Sequence, residues 1–451
     1  MTTPKKGPEM SGKNDRFSSS GFILAAIGSS VGLGNMWKFP YITGENGGAA
    51  FFLLFIVCLI VIGLPVLLAE LAIGRAGRGS AATSFVKAGG SKVFGKLGIL
   101  QVIAPFLILT FYIIVAGWTL NYAVQSFSGH LFSSSDYEGQ FASFIGGYMP
   151  IVWQAIAILI TAFVVIKGIS GGIEKFNKVL IPGMIILLIG LMIRSVTLPG
   201  AGEGVAFFLH PDFSKLSPES ALVALGHAFF SLSLGMGILL TYGAYVDKRQ
   251  SLGTATLAIG AGDLIYAFVA GLIIFPTTAS FGIAPDSGPS LVFMALPAAF
   301  SAMPFGSLFG GLFFILLAIA ALTSAVSLLE VPVSFTMDRW GWSRTKSVII
   351  ISALVMLIGL PSALSFGMVP ALSDLGGKNF FDWLDFITSN IMLPIGGLIT
   401  TLFAGYFWKG AAEAAGLKSK WFKIWLFMLR YIAPVLVLLV LLHTTGIIKI
   451  D

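Results

Sequence analysis

Charged side chains are scarce in this chain, and cysteine is almost absent. Of 451 residues, only 10% are Asp, Glu, Lys or Arg, whereas 56% are hydrophobic. A soluble domain usually carries about 25% charged residues, so a water-exposed fold of this length is excluded and lipid is the expected solvent. The single cysteine, Cys58, excludes a disulfide framework within one chain.

The chain also lacks the features of an enzyme or a nucleic-acid-binding protein. We find no serine or carboxylate relay for its four histidines, which are His130, His210, His227 and His443. The net charge of +7 is typical of the Lys and Arg residues that orient membrane helices. The N-terminal segment has no apolar core of a cleaved signal peptide, so we expect the first apolar helix to direct insertion.

Long apolar stretches, each able to cross the hydrocarbon core in about 20 residues, are the main positive signal. They predict an all-α polytopic membrane protein with eleven transmembrane helices. The predicted spans are 18–42, 49–74, 97–127, 148–167, 176–195, 220–246, 253–281, 307–337, 347–366, 382–408 and 424–447. The segment 289–301, which contains Pro289 and Pro297, is too short to span and is predicted to be a helical cap in an outer loop.

The positive charges predict the orientation. With the N-terminus in the cytoplasm, all but six of the 27 Lys and Arg residues fall on the cytoplasmic side. Eleven spans then place the C-terminus outside, in a multi-pass protein of the cell (inner) membrane. The six exceptions are Lys38, Arg194, Lys215, Lys378, Arg430 and Lys449.

Two spans carry small residues at mid-depth, where a hydrophobic helix should be continuous. The first span contains GSSVGLGN (28–35), and the sixth contains SLSLGMG (231–237). One such site alone favours close helix packing. Two sites, five spans apart, favour unwound segments in an inverted repeat. Unwound backbone offers carbonyls to a cation and helix N-termini to an anion.

At these positions the chain resembles the neurotransmitter:sodium symporters. The resemblance lies in GSSVGLGNMWKFPYITGENGGAAF (28–51), SLSLGMGILLTYGAYV (231–246) and AALTSAVSLLEVP (320–332). It implies a five-plus-five inverted repeat with helices 1 and 6 broken. The implied organisation is a tail 1–17, a first repeat 18–195, an outer loop 196–219, a second repeat 220–408, and a linker with the eleventh helix 409–451.

The resemblance also implies two Na⁺ sites and a substrate pocket. The first ion site would use Ser30, Asn35, Ser231 and Asp263 with the substrate carboxylate, and the second Gly28, Val31, Ala320, Thr323 and Ser324. For Thr323 and Ser324, bonding to their own helix is the alternative. The substrate pocket would comprise Ser30, Gly32, Leu33, Gly34, Ile108, Phe111, Tyr112, Phe230, Leu232, Ser233, Met236, Ala325 and Leu328.

Asp263 is singled out because an intramembrane carboxylate is costly and usually functional. Many members of the family have Asn at this position, and chloride-dependent members have a serine where this chain has Ala267. The resemblance therefore predicts chloride independence, with Asp263 supplying negative charge beside Na⁺. A structural hydrogen bond to a nearby hydroxyl is the alternative role.

Gates are also implied. Lys38 and Asp385 would form an outer ion pair above an aromatic lid of Tyr112 and Phe230. Arg16, or alternatively Lys13, would pair with Asp338 at the inner gate, and interfacial anchoring is the competing role for these charges. Gly172 and Pro182 suggest a hinge in the fifth span, although a static kink fits equally.

Together these features predict Na⁺-coupled uptake of hydrophobic and aromatic L-amino acids by alternating access. An ion channel, or a facilitated carrier without Na⁺ coupling, is the alternative. The expected partners are the amino-acid substrate and the bilayer, with no nucleic acid and no obligatory protein partner.

Overall fold

Eleven membrane helices organise the chain. The computed structural model describes residues 16–284 and 291–448, and these residues form helices and turns with no strand. Within these two ranges, nine helices are long and apolar enough to cross a membrane: α2 (Ala49–Gly77), α3 (Lys92–Phe127), α4 (Met149–Ile166), α5 (Ile169–Val196), α7 (Leu252–Ser280), α8 (Gly306–Trp340), α9 (Arg344–Leu364), α10 (Phe380–Phe407) and α11 (Ser419–Thr444). Two interrupted helices complete the predicted set, which is thereby confirmed.

The interruptions fall in α1 and α6, the first helix of each set of five. Inner and outer here refer to the predicted orientation in the membrane. The inner half of α1 is Ser19–Ser30, and its outer half follows the π-helical turn Gly34–Lys38 as Phe39–Glu45. The halves of α6 are Pro218–Ser231 and Ile238–Ala244. Both predicted breaks are confirmed. The small residues at these positions therefore do not belong to continuous, closely packed helices.

Local backbone geometry explains why the helices stop there. Val31 has φ −82° and ψ 86°, outside the helical region. In α6, Ser233, Gly235 and Gly237 have φ of 56°, 75° and 70°, a region that favours glycine. A Cβ on Gly235 would lie 2.2 Å from the carbonyl oxygen of Leu393 in α10, so this position also has no room for a side chain.

Close backbone contacts hold the inner half of α6 against α2. A Cβ on Gly74 would lie 2.0 Å from the carbonyl oxygen of Leu240, and one on Gly243 would lie 2.5 Å from that of Leu71. Small residues of this kind let membrane helices approach closely enough for dispersion contacts to stabilise them. Helix α2 therefore supports the α6 break from one side.

The long helices α3 and α8 pack against each other and against α4 and α9. An ion pair joins the partly buried Arg344 of α9 to the fully buried Glu330 of α8 at 2.7 Å, and the hydroxyl of Tyr245 donates to Glu330 at 3.0 Å. Because both interrupted helices lie beside this group, α3 and α8 provide a continuous wall next to the two breaks.

Short helices occupy the connections. They are Ala81–Lys87, Tyr137–Ile145, Ala201–Leu209, Ala295–Ser301 and Ala411–Ala415. The helix Ala295–Ser301 lies within the predicted cap 289–301, of which Pro289 lies outside the described residues.

Candidate functional site

A buried carboxylate sits where the two breaks meet α7. Asp263 is fully buried. Its Oδ1 accepts hydrogen bonds from Asn35 Nδ2 at 2.8 Å and Ser231 Oγ at 2.6 Å, while its Oδ2 has no partner in the described residues. A buried carboxylate oxygen without a donor is costly. This arrangement of oxygens suits a hard cation.

The remaining residue predicted for the first ion site is Ser30. Its hydroxyl donates to the carbonyl of Ala26 at 3.1 Å, within its own helix. It is also the last residue of the inner half of α1, and the last four carbonyls of a helix lack intrahelical donors. At this helix end the carbonyl of Ser30, rather than its hydroxyl, is therefore the group without an intrahelical donor, and the carbonyl is the atom that the resemblance implies for the first ion site.

Of the residues predicted for the second ion site, Ser324 of α8 faces the carbonyl groups of α1. The hydroxyl of Ser324 lies 3.5 Å from the carbonyl oxygen of Gly28 and 3.3 Å from that of Ser29. Thr323 instead donates to the carbonyl of Ala320 at 3.1 Å, which is the helix-internal bond considered as the alternative. The structure therefore places the Ser324 hydroxyl, and not that of Thr323, against α1.

A cavity of about 30 Å³ lies between the breaks. Tyr112 and Phe230 form part of its wall, and α8 contributes Ser324 and Leu328. The predicted substrate residues that line it are Ser30, Gly32, Gly34, Ile108, Tyr112, Phe230, Ser233, Met236 and Leu328, and Ser29 and Ile238 join them without having been predicted.

Four predicted substrate residues lie elsewhere. Leu33 and Phe111 line a separate cavity on the side of Lys38 and Asp385. Leu232 packs toward α2, since a Cβ on Gly63 would lie 2.6 Å from its Cδ1. Ala325 is fully buried in α8 and lines neither cavity. At a backbone break, helical periodicity no longer indicates where a side chain points.

Hydroxyl groups of α3 and α8 flank the break in α1. The backbone N–H of Leu33 donates to the Tyr112 hydroxyl at 3.3 Å. A Cβ on Gly32 would lie 2.6 Å from Ser324 Oγ and 3.2 Å from the Tyr112 hydroxyl oxygen. Only glycine leaves this backbone accessible to a small polar group, and the outer half-helix that follows presents its N-terminal end to such a group.

The second cavity, of about 230 Å³, lies on the side predicted to face outward. Tyr112 and Phe230 line both cavities and so lie between them. Lys38 Nζ is 4.9 Å from the centroid of the Phe230 ring, a cation–π geometry. Lys38 and Asp385 line this cavity together, but the described residues contain no ion pair between them within 4.0 Å.

The structure does not bring Arg16 to Asp338, so the inner pair is absent. Asp338 is paired with Lys87 at 3.0 Å and accepts hydrogen bonds from the Ser80 N–H at 2.9 Å and from the Thr83 hydroxyl. Because these groups already satisfy the carboxylate, it has no need of Arg16. Lys13, the alternative partner, lies outside the described residues.

Arg16 is exposed and lies near charges of the connection between α6 and α7. The pKa of Asp247 is below its usual value, chiefly because the backbone N–H of Arg249 donates to its carboxylate, and Arg16 adds to the effect. Arg16 also lowers the pKa of Arg78, after burial, which is the larger cause. Its charge therefore acts on this connection rather than on α8.

The residue after Arg16 packs on the side of the protein that is predicted to face the cytoplasm. Phe17 is buried, and its ring centroid lies 5.2 Å from that of Tyr242 and 6.5 Å from that of Tyr245. Beside it, the N–H and hydroxyl of Ser18 donate to Glu174 at 2.8 and 2.6 Å. The start of α1 is therefore fixed to both α5 and α6.

The predicted hinge residues lie in α5. Gly172 is part of a π-helical turn, Ile169–Glu174, and Pro182 lies inside the helix that follows. A Cβ on Gly172 would lie 2.1 Å from the carbonyl oxygen of Val164 in α4. The helix is therefore irregular at the position where the sequence predicted a weak turn.

Glu70 is a site residue that the sequence analysis missed. It is fully buried in α2, and its Oε1 accepts a hydrogen bond from the Gly235 N–H at 2.8 Å, which satisfies a backbone donor exposed by the α6 break. It stands in the apolar run LLAELAIG (67–74). The rule that identified Asp263, an acid inside a membrane span, would also have found it.

Eleven helices with two interrupted members that meet at a buried polar site define a secondary transporter. The chain belongs to the sodium:neurotransmitter symporter family, whose pattern matches residues 15–137 and 140–450. It is therefore a Na⁺-coupled membrane transporter and not an enzyme.

Individual relatives agree with this membership. This chain is 39% identical to the sodium-dependent transporter YhdH of Bacillus subtilis over 444 residues, which cover 96% of this chain and 98% of the relative. It is also 35% identical to a sodium-dependent transporter of Haemophilus influenzae over 440 residues, which cover 93% of this chain and 95% of that relative. The crystal structure of MhsT in complex with L-phenylalanine is similar, with a TM-score of 0.89 and 45% identity over 96% of this chain and 100% of that one.

Proposed function

We propose that this protein is a symporter that takes up hydrophobic and aromatic L-amino acids together with Na⁺, by alternating access and without chloride. The observation that carries the proposal is the Asn35–Ser231–Asp263 cluster. It presents an unpartnered carboxylate oxygen beside the two helix breaks, where a cation and a substrate carboxylate can share one site.

The substrate class follows from the walls of the cavity. Ile108, Met236 and Leu328 supply apolar surface, and Phe230 supplies an aromatic face. None of these can neutralise a charged substrate side chain, so acidic and basic amino acids incur a desolvation cost. The cavity is small, and a large apolar substrate requires Phe230 or Met236 to move; methionine repacks readily. The structurally similar MhsT was crystallised with L-phenylalanine.

The backbone at the breaks supplies the zwitterion contacts in this proposal. The substrate carboxylate lies at Gly32–Gly34, beside Tyr112, and the ammonium meets backbone carbonyls around the α1 and α6 breaks, at Ser30, Phe230, Leu232 and Ser233. An ammonium has three donors and no acceptor, so unwound backbone suits it. The substrate carboxylate then completes the first Na⁺ site.

Two Na⁺ ions give adequate driving force. Moving one charge through 100 mV is worth about 2.3 kcal/mol, so two ions with a zwitterion gain about 5 kcal/mol, enough for a concentration ratio on the order of 10³ to 10⁴. The second ion would bind Gly28, Val31 and Ala320 carbonyls with Thr323 and Ser324. In the resting geometry Thr323 must rotate from its bond to Ala320.

Chloride independence rests on Asp263 and Ala267. Ala267 is fully buried and offers no hydroxyl to an anion. Asp263, four residues earlier on α7, already carries the negative charge that would balance Na⁺. A chloride ion bound here would therefore be repelled by the Asp263 carboxylate, and Ala267 would offer it no hydrogen-bond donor.

The membrane orientation is also part of the proposal. The N-terminus lies in the cytoplasm and the C-terminus outside, so the cavity with Lys38 and Asp385 opens outward and Phe17 closes the cytoplasmic side. The repeats span 18–195 and 220–408. No obligatory protein partner is needed for the cycle.

Uptake of labelled tryptophan and leucine into proteoliposomes tests the proposal, with an inward Na⁺ gradient in chloride-free buffer. We expect uptake that is abolished when the gradient is removed and unchanged when chloride is added. Na⁺-indifferent uptake would indicate a facilitated carrier, and unitary currents larger than a transport cycle permits would indicate a channel; either contradicts the proposal. Lysine and glutamate serve as controls that should not be transported.

A further inference from the structure

One buried polar atom near α1 has no role in the site described so far. Asn177 in α5 is completely buried. Its Nδ2 donates to the carbonyl of Ile173 at 2.9 Å, but its Oδ1 has no partner in the described residues. Exchanging the two amide atoms would set oxygen against the Ile173 carbonyl oxygen, so the hydrogen bond fixes which atom is the free acceptor.

That oxygen points at Gly28, whose carbonyl belongs to the proposed second Na⁺ site. A Cβ on Gly28 would lie 2.1 Å from Asn177 Oδ1, so glycine makes room for the carboxamide. The Ser324 hydroxyl of α8 lies 3.5 Å from the Gly28 carbonyl oxygen. Gly28 thus lies near both Ser324 of the proposed ion site and a buried acceptor that has no donor among the described residues.

The packing of α5 places the Asn177 carboxamide next to the helices of the proposed second site. α5 packs against both α1 and α8, the two helices that form the second site, and Asn177 follows the π-helical turn Ile169–Glu174. Its anchor, Ile173, belongs to that turn. The N–H groups of Gly172 and Ile173 both donate to the Gly168 carbonyl, at 3.1 and 3.0 Å, so the turn is irregularly bonded and can change its winding.

We propose that Asn177 Oδ1 is a cation ligand on the cytoplasmic side of the second Na⁺ site, which receives the ion as it leaves toward the cytoplasm. The inference rests on the proposed function and names a residue for one of its steps. An oxygen dipole at this depth lowers the cost of moving a desolvated ion past α5. The bond to Ile173 keeps the dipole aimed at α1 until the turn rearranges.

The test compares Asn177→Leu and Asn177→Asp in the purified full chain. Equilibrium ²²Na⁺ binding reports the resting sites, and Na⁺-driven leucine turnover in proteoliposomes reports ion release. For Asn177→Leu we expect turnover to fall about tenfold, the order for one polar ligand lost from a charged partner, with the Na⁺ dissociation constant within about twofold of wild type. Asn177→Asp adds a charge, so Na⁺ should bind at least about threefold more tightly.

Asn121→Leu is the matched control. Asn121 is a buried asparagine of α3 whose Nδ2 also lacks a partner in the described residues, but α3 does not contribute to the second site. It should leave both measurements at wild-type values. If the leucine variant does not fold, the isosteric Asn177→Asp keeps the inference falsifiable.

Two results would overturn the inference alone. Unchanged turnover in Asn177→Leu would show that a water molecule or nothing at all satisfies this oxygen. Unchanged Na⁺ affinity in Asn177→Asp would show that no ion comes near it. If the wild-type chain binds a single Na⁺, the proposed second site falls and this inference falls with it.

Discussion

Replacing Asp263 by asparagine tests the charge at the centre of the site while keeping its shape. The carboxamide oxygen can still accept from Asn35 and Ser231, which now donate to Oδ1 at 2.8 and 2.6 Å. The NH₂ group then takes the place of Oδ2, the oxygen that has no donor in the part of the chain that the structure describes. A cation that binds this oxygen in the wild-type protein then loses the attraction of a full negative charge and faces an N–H donor instead.

The magnitude follows from burial and charge. Two unit charges 4 Å apart interact by about 4 kcal/mol at an effective dielectric constant of 20. Asn35 and Ser231 already donate to the carboxylate, which reduces the field at the ion, so we take about half of this value. A loss of about 2 kcal/mol raises the Na⁺ dissociation constant about thirtyfold.

Equilibrium ²²Na⁺ binding to the purified protein measures this change, and size-exclusion chromatography checks folding. Asp212→Asn is the control, since it removes the same charge from an exposed loop and should leave Na⁺ affinity unchanged. A folded Asp263→Asn protein whose Na⁺ dissociation constant stays within threefold of wild type would refute the role of Asp263 and leave it as a hydrogen-bond acceptor for the two breaks.

Three further substitutions probe the breaks and the scaffold. Gly235→Ala sets a Cβ 2.2 Å from the Leu393 carbonyl oxygen at φ 75°, so we expect a lower thermal midpoint in detergent by several degrees, about 2 kcal/mol; a midpoint equal to that of Gly253→Ala, whose Cβ meets nothing closer than 3.6 Å, would contradict this. Glu330→Gln replaces the fully buried carboxylate that pairs with the partly buried Arg344, which should cost about 3 kcal/mol in unfolding free energy. A loss below about 1 kcal/mol would show that the pair is replaceable. Ser324→Ala removes the hydroxyl facing the Gly28 carbonyl, so ²²Na⁺ stoichiometry should fall from two toward one, and retention of two ions would exclude this hydroxyl as a ligand.

Hydrophobic length and small-residue patterns were sufficient to predict the architecture. A lipid-facing helix cannot tolerate unpaired backbone, so glycine and serine at mid-depth in two spans indicated the breaks before any geometry was known. The same reasoning identified Asp263, because an acid inside an apolar run needs a reason to be there. Glu70 carried that signal too, and it was overlooked because no resemblance drew attention to it.

Side-chain partners could not be predicted equally well. Asp338 pairs with Lys87, since several basic residues border this face and only packing decides which one reaches the carboxylate. The Leu232 side chain packs toward α2. The backbone around it is unwound, so helical periodicity does not predict its direction. Lys38 lies over the Phe230 ring instead of bonding to Asp385, as a flexible ammonium is held less rigidly than a planar guanidinium.

The closed side that is predicted to face the cytoplasm and the proposed second ion site are connected through one short segment of α5. Glu174, the last residue of the π-helical turn, holds the N–H and hydroxyl of Ser18 at the start of α1. Ile173, one residue earlier, holds the Asn177 carboxamide against Gly28. A change in the winding of this turn must displace both contacts, because they originate from adjacent residues. We therefore expect loosening of the inner half of α1 and rearrangement beside the second site to occur together, while the α3–α8 wall, tied to α9 by the Glu330–Arg344 pair, stays in place.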